Sequence, residues 1–296
     1  MGCLGQYMNE HPISFLSDSK WLTGIIHKPT GAAAECQGKG VLIVVGGPQT
    51  RVGSHRQFLL LARYLAGKGY HVMRFDYHGM GDSEGAIDSF FNATNDIENA
   101  LEQFQTHCPI IDNISLWGLC DAASAILLFC KSDTQQQISQ LVLLNPWVTT
   151  EHLKAQVMLK NYYLAKLIDK QFWKKCWRFE LNLTQSLNAF FVSVKNSFSS
   201  KPERDKKCIT KPNKNNYVGL MKQALQEFSG PVCIILSGAD LVAAEFELLI
   251  NQDKQWHDVC SKPLVKITQI DKANHTFASE KWREEVERIT LNSLGG

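Results

Sequence analysis

The sequence predicts an α/β chain: a mostly parallel sheet covered by helices on both faces, with a helical insertion between two of its later strands. Two observations predict it. Short runs such as Val41–Val45, Leu141–Leu144 and Pro231–Leu236 are apolar throughout, the pattern of strands buried on both faces. Segments with apolar residues at helical spacing alternate with these runs, as crossovers between parallel strands require.

Taken in order, His11–Phe15 and Trp21–His27 read as a hairpin around the polar Ser17-Asp18-Ser19-Lys20 turn. Residues 30–40 form a small-residue loop. Val41–Val45 is a buried strand ending in Gly46-Gly47-Pro48-Gln49-Thr50. Phe58, Leu59, Leu61, Ala62 and Leu65 mark a helix that Gly67 and Gly69 close. His71–Phe75 is the next strand, with Asp76–Gly85 as its exit loop. A helix follows from about Thr94 to Gln105, with Ile97, Ala100, Leu101 and Phe104 on one face. Ile114–Trp117 is a strand, Ala122–Phe129 its helix, and Leu141–Leu144 a strand ending at Asn145-Pro146-Trp147.

The periodicity then changes. Residues 151–198 read as helical and rich in Leu and aromatics, residues 199–216 as a polar loop, and Val218–Phe228 as a helix. The sheet pattern resumes at Pro231–Leu236, which leads into Ser237-Gly238-Ala239-Asp240 and one helix. Strand Leu264–Ile270, loop Ala273-Asn274-His275-Thr276-Phe277 and helix Glu280–Leu291 close the chain. The expected division is therefore 8–150 for the first part of the core, 151–230 for a lid-like insertion and 231–296 for the second part.

Composition narrows the function classes. The 296 residues are 44% hydrophobic and 20% charged, with net charge +2, which gives nucleic-acid binding no support. No apolar run approaches the roughly 18 residues of a membrane span. The N-terminus lacks the apolar stretch of a secretory signal, and Gln6 stands where a myristoylation motif needs Ser or Thr. The nine cysteines are scattered without a C-x-x-C pair, so neither a disulfide framework nor a zinc site is expected. Reduced thiols point to a cytoplasmic setting. Nine His without metal-ligand spacing leave no metal or cofactor expected. The insertion carries about fifteen Lys/Arg against about six Asp/Glu, or roughly +9, leaving roughly −7 for the rest. It is either a solvated helical surface or a basic lid that draws an anionic substrate or a membrane surface. Its aromatics either line an apolar acyl or alcohol pocket or pack the lid onto the core.

Gly118-Leu119-Cys120-Asp121-Ala122 has the outline of a nucleophile elbow, with Cys in the nucleophile seat and Ala for the last Gly. Such a turn puts Cys120 at a helix N-terminus, where partial positive charge favours the thiolate. A Cys opening a helix can equally be structural. Its company carries the argument: Asp240 past one strand end and His275 past the next follow in the order nucleophile, acid, base. In the plainer alternative Asp240 only caps the next helix and His275 is a surface loop residue. An oxyanion would need donors: the Asp121 N–H, and the Gly47 N–H from the loop after Val45, with Gln49 in reserve because Pro48 has none. Gly79–Gly85 lacks the spacing of a phosphate loop and is expected to shape a turn beside the site. His55 is expected on the surface.

These residues resemble the α/β-hydrolase superfamily and, within it, the exosortase A system-associated hydrolases, type 1. The resemblance runs from Met8 onward. It is carried by Gly46-Gly47-Pro48, Ser54-His55-Arg56, Arg74 to Gly85, Trp117 to Ser124, Ser237 to Phe246 and His275-Thr276-Phe277. It implies an α/β-hydrolase fold in a bacterial cytoplasmic protein encoded with exopolysaccharide and protein-sorting systems, with Met8 as the native start. It also implies Cys120 as nucleophile, Asp240 as acid and His275 as base. Val45 departs from a common His, and Ala122 from the second elbow Gly. The expected activity is hydrolysis of a carboxylic ester or thioester through an acyl-Cys120. An acyltransferase using the same triad, or a non-catalytic protein binding a glycan or partner, are the alternatives. The acyl substrate is expected to be a small molecule.

Overall fold

The computed structural model describes residues 9–29, 38–47, 49–132, 138–149, 153 and 211–295. Pro48, the proposed start at Met8 and residues 151, 152 and 154–210 of the expected lid lie outside the described residues. The chain divides into two compact units, one of residues 1–148 with 212–296 and one of residues 149–211. The sheet and its helices belong to the first, which the chain re-enters at Pro212.

Eight strands form one sheet in the order β1-β2-β4-β3-β5-β6-β7-β8. They are β1 (Glu10–Ser17), β2 (Lys20–His27), β3 (Lys39–Val44), β4 (His71–Phe75), β5 (Asn113–Leu119), β6 (Ile138–Leu144), β7 (Val232–Ser237) and β8 (Val265–Ile270). β1 and β2 pair antiparallel, β2 pairs antiparallel with β4, and every other pairing is parallel. The hairpin turns at Asp18 and Ser19, both at positive φ (45° and 65°), the geometry that matches strand twist in a two-residue turn. β1 alternates buried and exposed residues because one of its faces meets solvent. β3, β4, β5 and β7 are buried on both faces along nearly their whole length.

The crossovers are α1 (Gln57–Ala66), α2 (Thr94–His107) and α3 (Asp121–Lys131), followed by α4 (Tyr217–Glu227), α5 (Leu241–Gln252), α6 (Lys254–Cys260) and α7 (Glu280–Ser293). On one face Val41, Ile43, Trp117, Val142 and Ile235 meet Phe58, Leu61 and Leu65 of α1 and Val286 and Ile289 of α7. Trp117 is fully buried there, edge-on to Phe58 at 5.7 Å, and its Nε1–H donates to Thr290 Oγ1 at 3.3 Å. On α4, Tyr217 packs edge-on to Phe90 at 5.7 Å and tilted against Phe91 at 5.3 Å. One helix was expected after Asp240, and two are found. Asp253 leaves helical geometry (φ −103°, ψ 112°), and its Oδ1 accepts from the Gln255 and Trp256 N–H groups, which starts α6. No described helix is long and apolar enough to cross a membrane.

The chain runs from β3 outward to β4, then returns to place β5 on the other side of β3. That reversal opens a crevice at the carboxyl ends of β3 and β5, where open α/β sheets take their ligands. The Gly46-Gly47 loop and Cys120 leave the sheet there.

Candidate active site

Cys120 sits one residue past β5 at φ 64°, ψ −123°, a left-handed φ that is rare for a residue with a side chain. Neighbouring backbone holds it there. The Cys120 N–H donates to Leu144 O at 2.8 Å, and the Trp147 N–H donates to Cys120 O at 3.3 Å. Ser124 Oγ donates to Trp147 O at 2.7 Å, tying α3 to the loop after β6. Gly118 is required because α3 comes down on the strand: a Cβ there would lie 2.7 Å from Ile126 Cδ1 and 3.0 Å from Ala122 C. Ala122, the departure from the elbow pattern, fits because Gly46 stands opposite. A Cβ on Gly46 would overlap Asp121 Oδ1 and lie 2.6 Å from Ala122 N and 2.9 Å from Ala122 Cβ.

Asp240 and His275 are brought together. His275 Nδ1 lies 2.9 Å from Asp240 Oδ2. The same oxygen accepts the Ala243 N–H at 3.1 Å, capping α5. The two readings of Asp240 from sequence, helix cap and partner of His275, are therefore one arrangement. A carboxylate on Nδ1 selects the tautomer with hydrogen on that nitrogen and leaves Nε2 as acceptor. Asp240 keeps only 9% of its side-chain surface and His275 keeps 33%, so the imidazole reaches an open rim from a buried anchor.

Sequence reading missed the residue that steadies this loop. Asn145 follows β6 at φ 44° and is fully buried. Its Nδ2 donates to Ser237 Oγ at 2.7 Å and to His275 O at 3.2 Å, and its Oδ1 accepts the Ser237 N–H at 2.8 Å. Ser237 Oγ in turn donates to Asn274 O at 3.0 Å. β6, β7 and the His275 loop are thereby joined. The sole sequence signal was an Asn directly at the end of an apolar strand.

The electrostatics correct one expectation. A helix N-terminus was expected to favour the Cys120 thiolate. Instead burial pushes the thiol up to about 12, with the Asp121 and Asp240 charges adding to it and the Asp121 N–H opposing. The amide at the helix start does act as reasoned, but desolvation and two carboxylates outweigh it. Asp121 is itself raised, first by burial, against hydrogen bonds from Gly47, Ala122 and its own N–H and the attraction of His275. The Gly47 N–H, read from sequence as an oxyanion donor, is engaged: it donates to Asp121 Oδ2 at 2.7 Å. Gln49 Oε1 accepts the Ser54 N–H at 3.2 Å within its own loop. His55 is exposed.

The loop after β3 is clamped by the one after β4. Asp76, fully buried, accepts from both the backbone and the guanidinium of Arg51, whose other nitrogen meets Asp82. The Asp82 N–H returns to Asp76 Oδ2 at 3.2 Å, and Ser83 Oγ donates to Asp76 O at 2.8 Å. Gly81 takes φ 53°, and a Cβ there would overlap the Asp76 carboxylate, so the position needs glycine on both counts. Buried Arg74 adds a bond from Nη1 to Arg51 O at 2.8 Å. The Arg74–Gly85 stretch thus fixes the loop that presents Gly47. Among the described residues no three His, Cys, Asp or Glu are grouped to hold a metal ion.

Comparison with known proteins adds the family. The profile described as Serine aminopeptidase, S33 matches residues 37–281. The structure is similar to the esterase Pf2001 of Pyrococcus furiosus, with TM-score 0.61 and 15% identity over 99% of this chain and 95% of that one. It is similar to Est1E from Butyrivibrio proteoclasticus, solved with ferulic acid bound, with TM-score 0.59 and 15% identity over 96% and 100%. XC6422 from Xanthomonas campestris, described as an α/β serine hydrolase without lid, has TM-score 0.56 and 12% identity over 97% and 96%. At such identities the likeness is one of fold. A lysophosphatidylserine lipase, ABHD12 of Danio rerio, is 48% identical over 46 residues, which span 16% of this chain and 12% of that protein. With its eight-stranded, mostly parallel sheet and a profile match over residues 37–281, the chain has the α/β-hydrolase fold and belongs to the Serine aminopeptidase, S33 family, with cysteine at its elbow.

Proposed function

We propose that this protein hydrolyses a carboxylic ester or thioester through an acyl-Cys120 intermediate, with His275 as proton shuttle and Asp240 as its orienting partner. The observation that carries the reading is the 2.9 Å contact from Asp240 Oδ2 to His275 Nδ1, on the same rim as a cysteine held at a strained elbow. The resting thiol is neutral, so His275 Nε2 takes its proton as sulfur attacks the carbonyl carbon. A C–S bond forms and the carbonyl oxygen becomes the oxyanion. When that intermediate collapses, the bond to the alcohol or thiol breaks and the leaving group takes the proton back from His275. Water then loses a proton to His275, attacks the acyl carbon and releases the acid, and the sulfur recovers its hydrogen.

The esterases among the similar structures and the matched stretch of a lipase support an ester-type substrate. The excess of Lys and Arg in residues 151–230, taken as a lid, favours an anionic one. The place beside bacterial exopolysaccharide and exosortase systems rests on the Trp117–Ser124 and Ser237–Phe246 stretches.

The test is a screen of p-nitrophenyl esters and acyl-CoAs with wild type and Cys120→Ala, followed by mass analysis for an acyl adduct. Turnover is expected to fall by about 1,000-fold or more in the variant, the scale of losing a nucleophile. Activity that survives Cys120→Ala defeats the mechanism.

A further inference from the structure

The residue after Cys120 does more than supply a backbone amide. Its carboxyl group folds back over the start of α3, where Oδ2 accepts the Gly47 N–H at 2.7 Å and Oδ1 accepts the Ala122 N–H at 3.1 Å. Gly47 follows β3 across the crevice from the elbow, at the point where a second oxyanion donor has to sit. The placement is built into the chain. Gly46 approaches so closely that any Cβ there would overlap Asp121 Oδ1. Gly47 itself takes φ 60° to aim its N–H at the carboxylate.

We propose that the Asp121 carboxyl group is an internal ligand of the oxyanion seat, which a substrate's carbonyl oxygen must displace from Gly47, and that Asp121 thereby sets which acyl substrates the Cys120 site accepts. The inference rests on the acyl-Cys120 reading. With the carboxylate in place, a carbonyl oxygen at Cys120 lacks the Gly47 donor and meets a like charge as it becomes an oxyanion. Small, weakly held neutral esters are therefore poor substrates. Good ones carry further binding groups whose contacts drive the exchange, and the carboxyl then turns out of the seat. No bond to Asp121 forms or breaks.

The test is acetylation of Cys120 by p-nitrophenyl acetate, a small neutral ester, in the full chain. It is followed by p-nitrophenolate release and by peptide mass for wild type, Asp121→Ala and Asp121→Asn, with thermal unfolding to show that each variant folds. Asp121→Ala frees the Gly47 N–H, so its acetylation is expected to run about 10- to 100-fold faster than wild type, the scale of one oxyanion donor. Asp121→Asn keeps an oxygen on Gly47 without the charge and is expected to fall between the two. Acetylation no faster in a folded Asp121→Ala, with wild type still acetylated at Cys120, overturns this inference alone. No adduct on Cys120 in any of the three proteins overturns the acyl-Cys120 reading as well.

Discussion

Asn145 offers the sharpest test of how this rim is held. Asn145→Ala removes the acceptor of the buried Ser237 N–H and the donors to Ser237 Oγ and His275 O. The first group is left without a partner inside the protein, at a cost of about 1–3 kcal/mol. The backbone adds a second term. Asn145 sits at φ 44°, a conformation Asn tolerates and Ala does not, worth about 1 kcal/mol. Together these give about 2–4 kcal/mol, a large part of the roughly 5–15 kcal/mol that holds a typical domain. Asn145→Gly relieves the backbone term and keeps the orphaned N–H, so it is expected to cost about 1 kcal/mol less than Ala. Asn145→Asp restores the acceptor for Ser237 but buries a charge and loses the donor to His275 O, and should be no better than Ala. Urea unfolding with matched m-values measures all three. A change below about 0.5 kcal/mol for Asn145→Ala would refute the argument from buried hydrogen bonds. A Gly variant weaker than the Ala variant would refute the backbone term.

Two further outcomes come from the same geometry. Asp240→Asn should leave stability within about 0.5 kcal/mol, because Asn caps a helix as well as Asp. It should nonetheless lower kcat/KM by about 100- to 10,000-fold, through loss of the carboxylate that fixes the His275 tautomer. A kcat/KM unchanged in a stably folded Asp240→Asn would make Asp240 a cap and nothing more. The second outcome concerns His27, buried in the sheet, whose Nε2 lies 2.9 Å from Arg74 Nε. Burial, then the Arg74 charge, lowers its pKa from 6.5 to about 4. The unfolded chain therefore binds a proton that the folded chain refuses between those values. This contribution is complete above pH 6.5 and is lost as pH falls toward 4, by about 3 kcal/mol in all. His27→Gln keeps an acceptor for Arg74 and should flatten the acid side of the stability profile. An unchanged acid limb would show that His27 already titrates normally.

Much of this architecture was legible locally. Strand runs such as Val41–Val45 and His71–Phe75 declare themselves because burial on both faces favours consecutive apolar residues, with Arg74 a buried exception, and both strands formed within a residue or two of the reading. Gly118 and Cys120 mark a strand-to-helix turn because the geometry of that turn admits few residues. Where local pattern failed, the reason was also local: apolar spacing continues through Asp253, and a single cap residue ends one helix and begins the next. The chemistry was legible only as a list of residue types in a workable order.

From the order of residues alone come the set of elements and the cast: a covered, mostly parallel sheet, a cysteine at an elbow, an acid and a histidine past later strands. Short-range rules decide these, through period, turn geometry and chain order. How those groups act on one another was settled by packing in three dimensions. Asn145 joins Ser237 and His275 across 92 and 130 residues of chain. The thiol of Cys120 stays protonated because burial and two carboxylates, one of them Asp240, prevail over a helix end. Asp121, chosen for its amide, puts its side chain on Gly47, from 74 residues away. Hydrogen bonds and charges depend on distance in space, and a sequence records distance only along the chain.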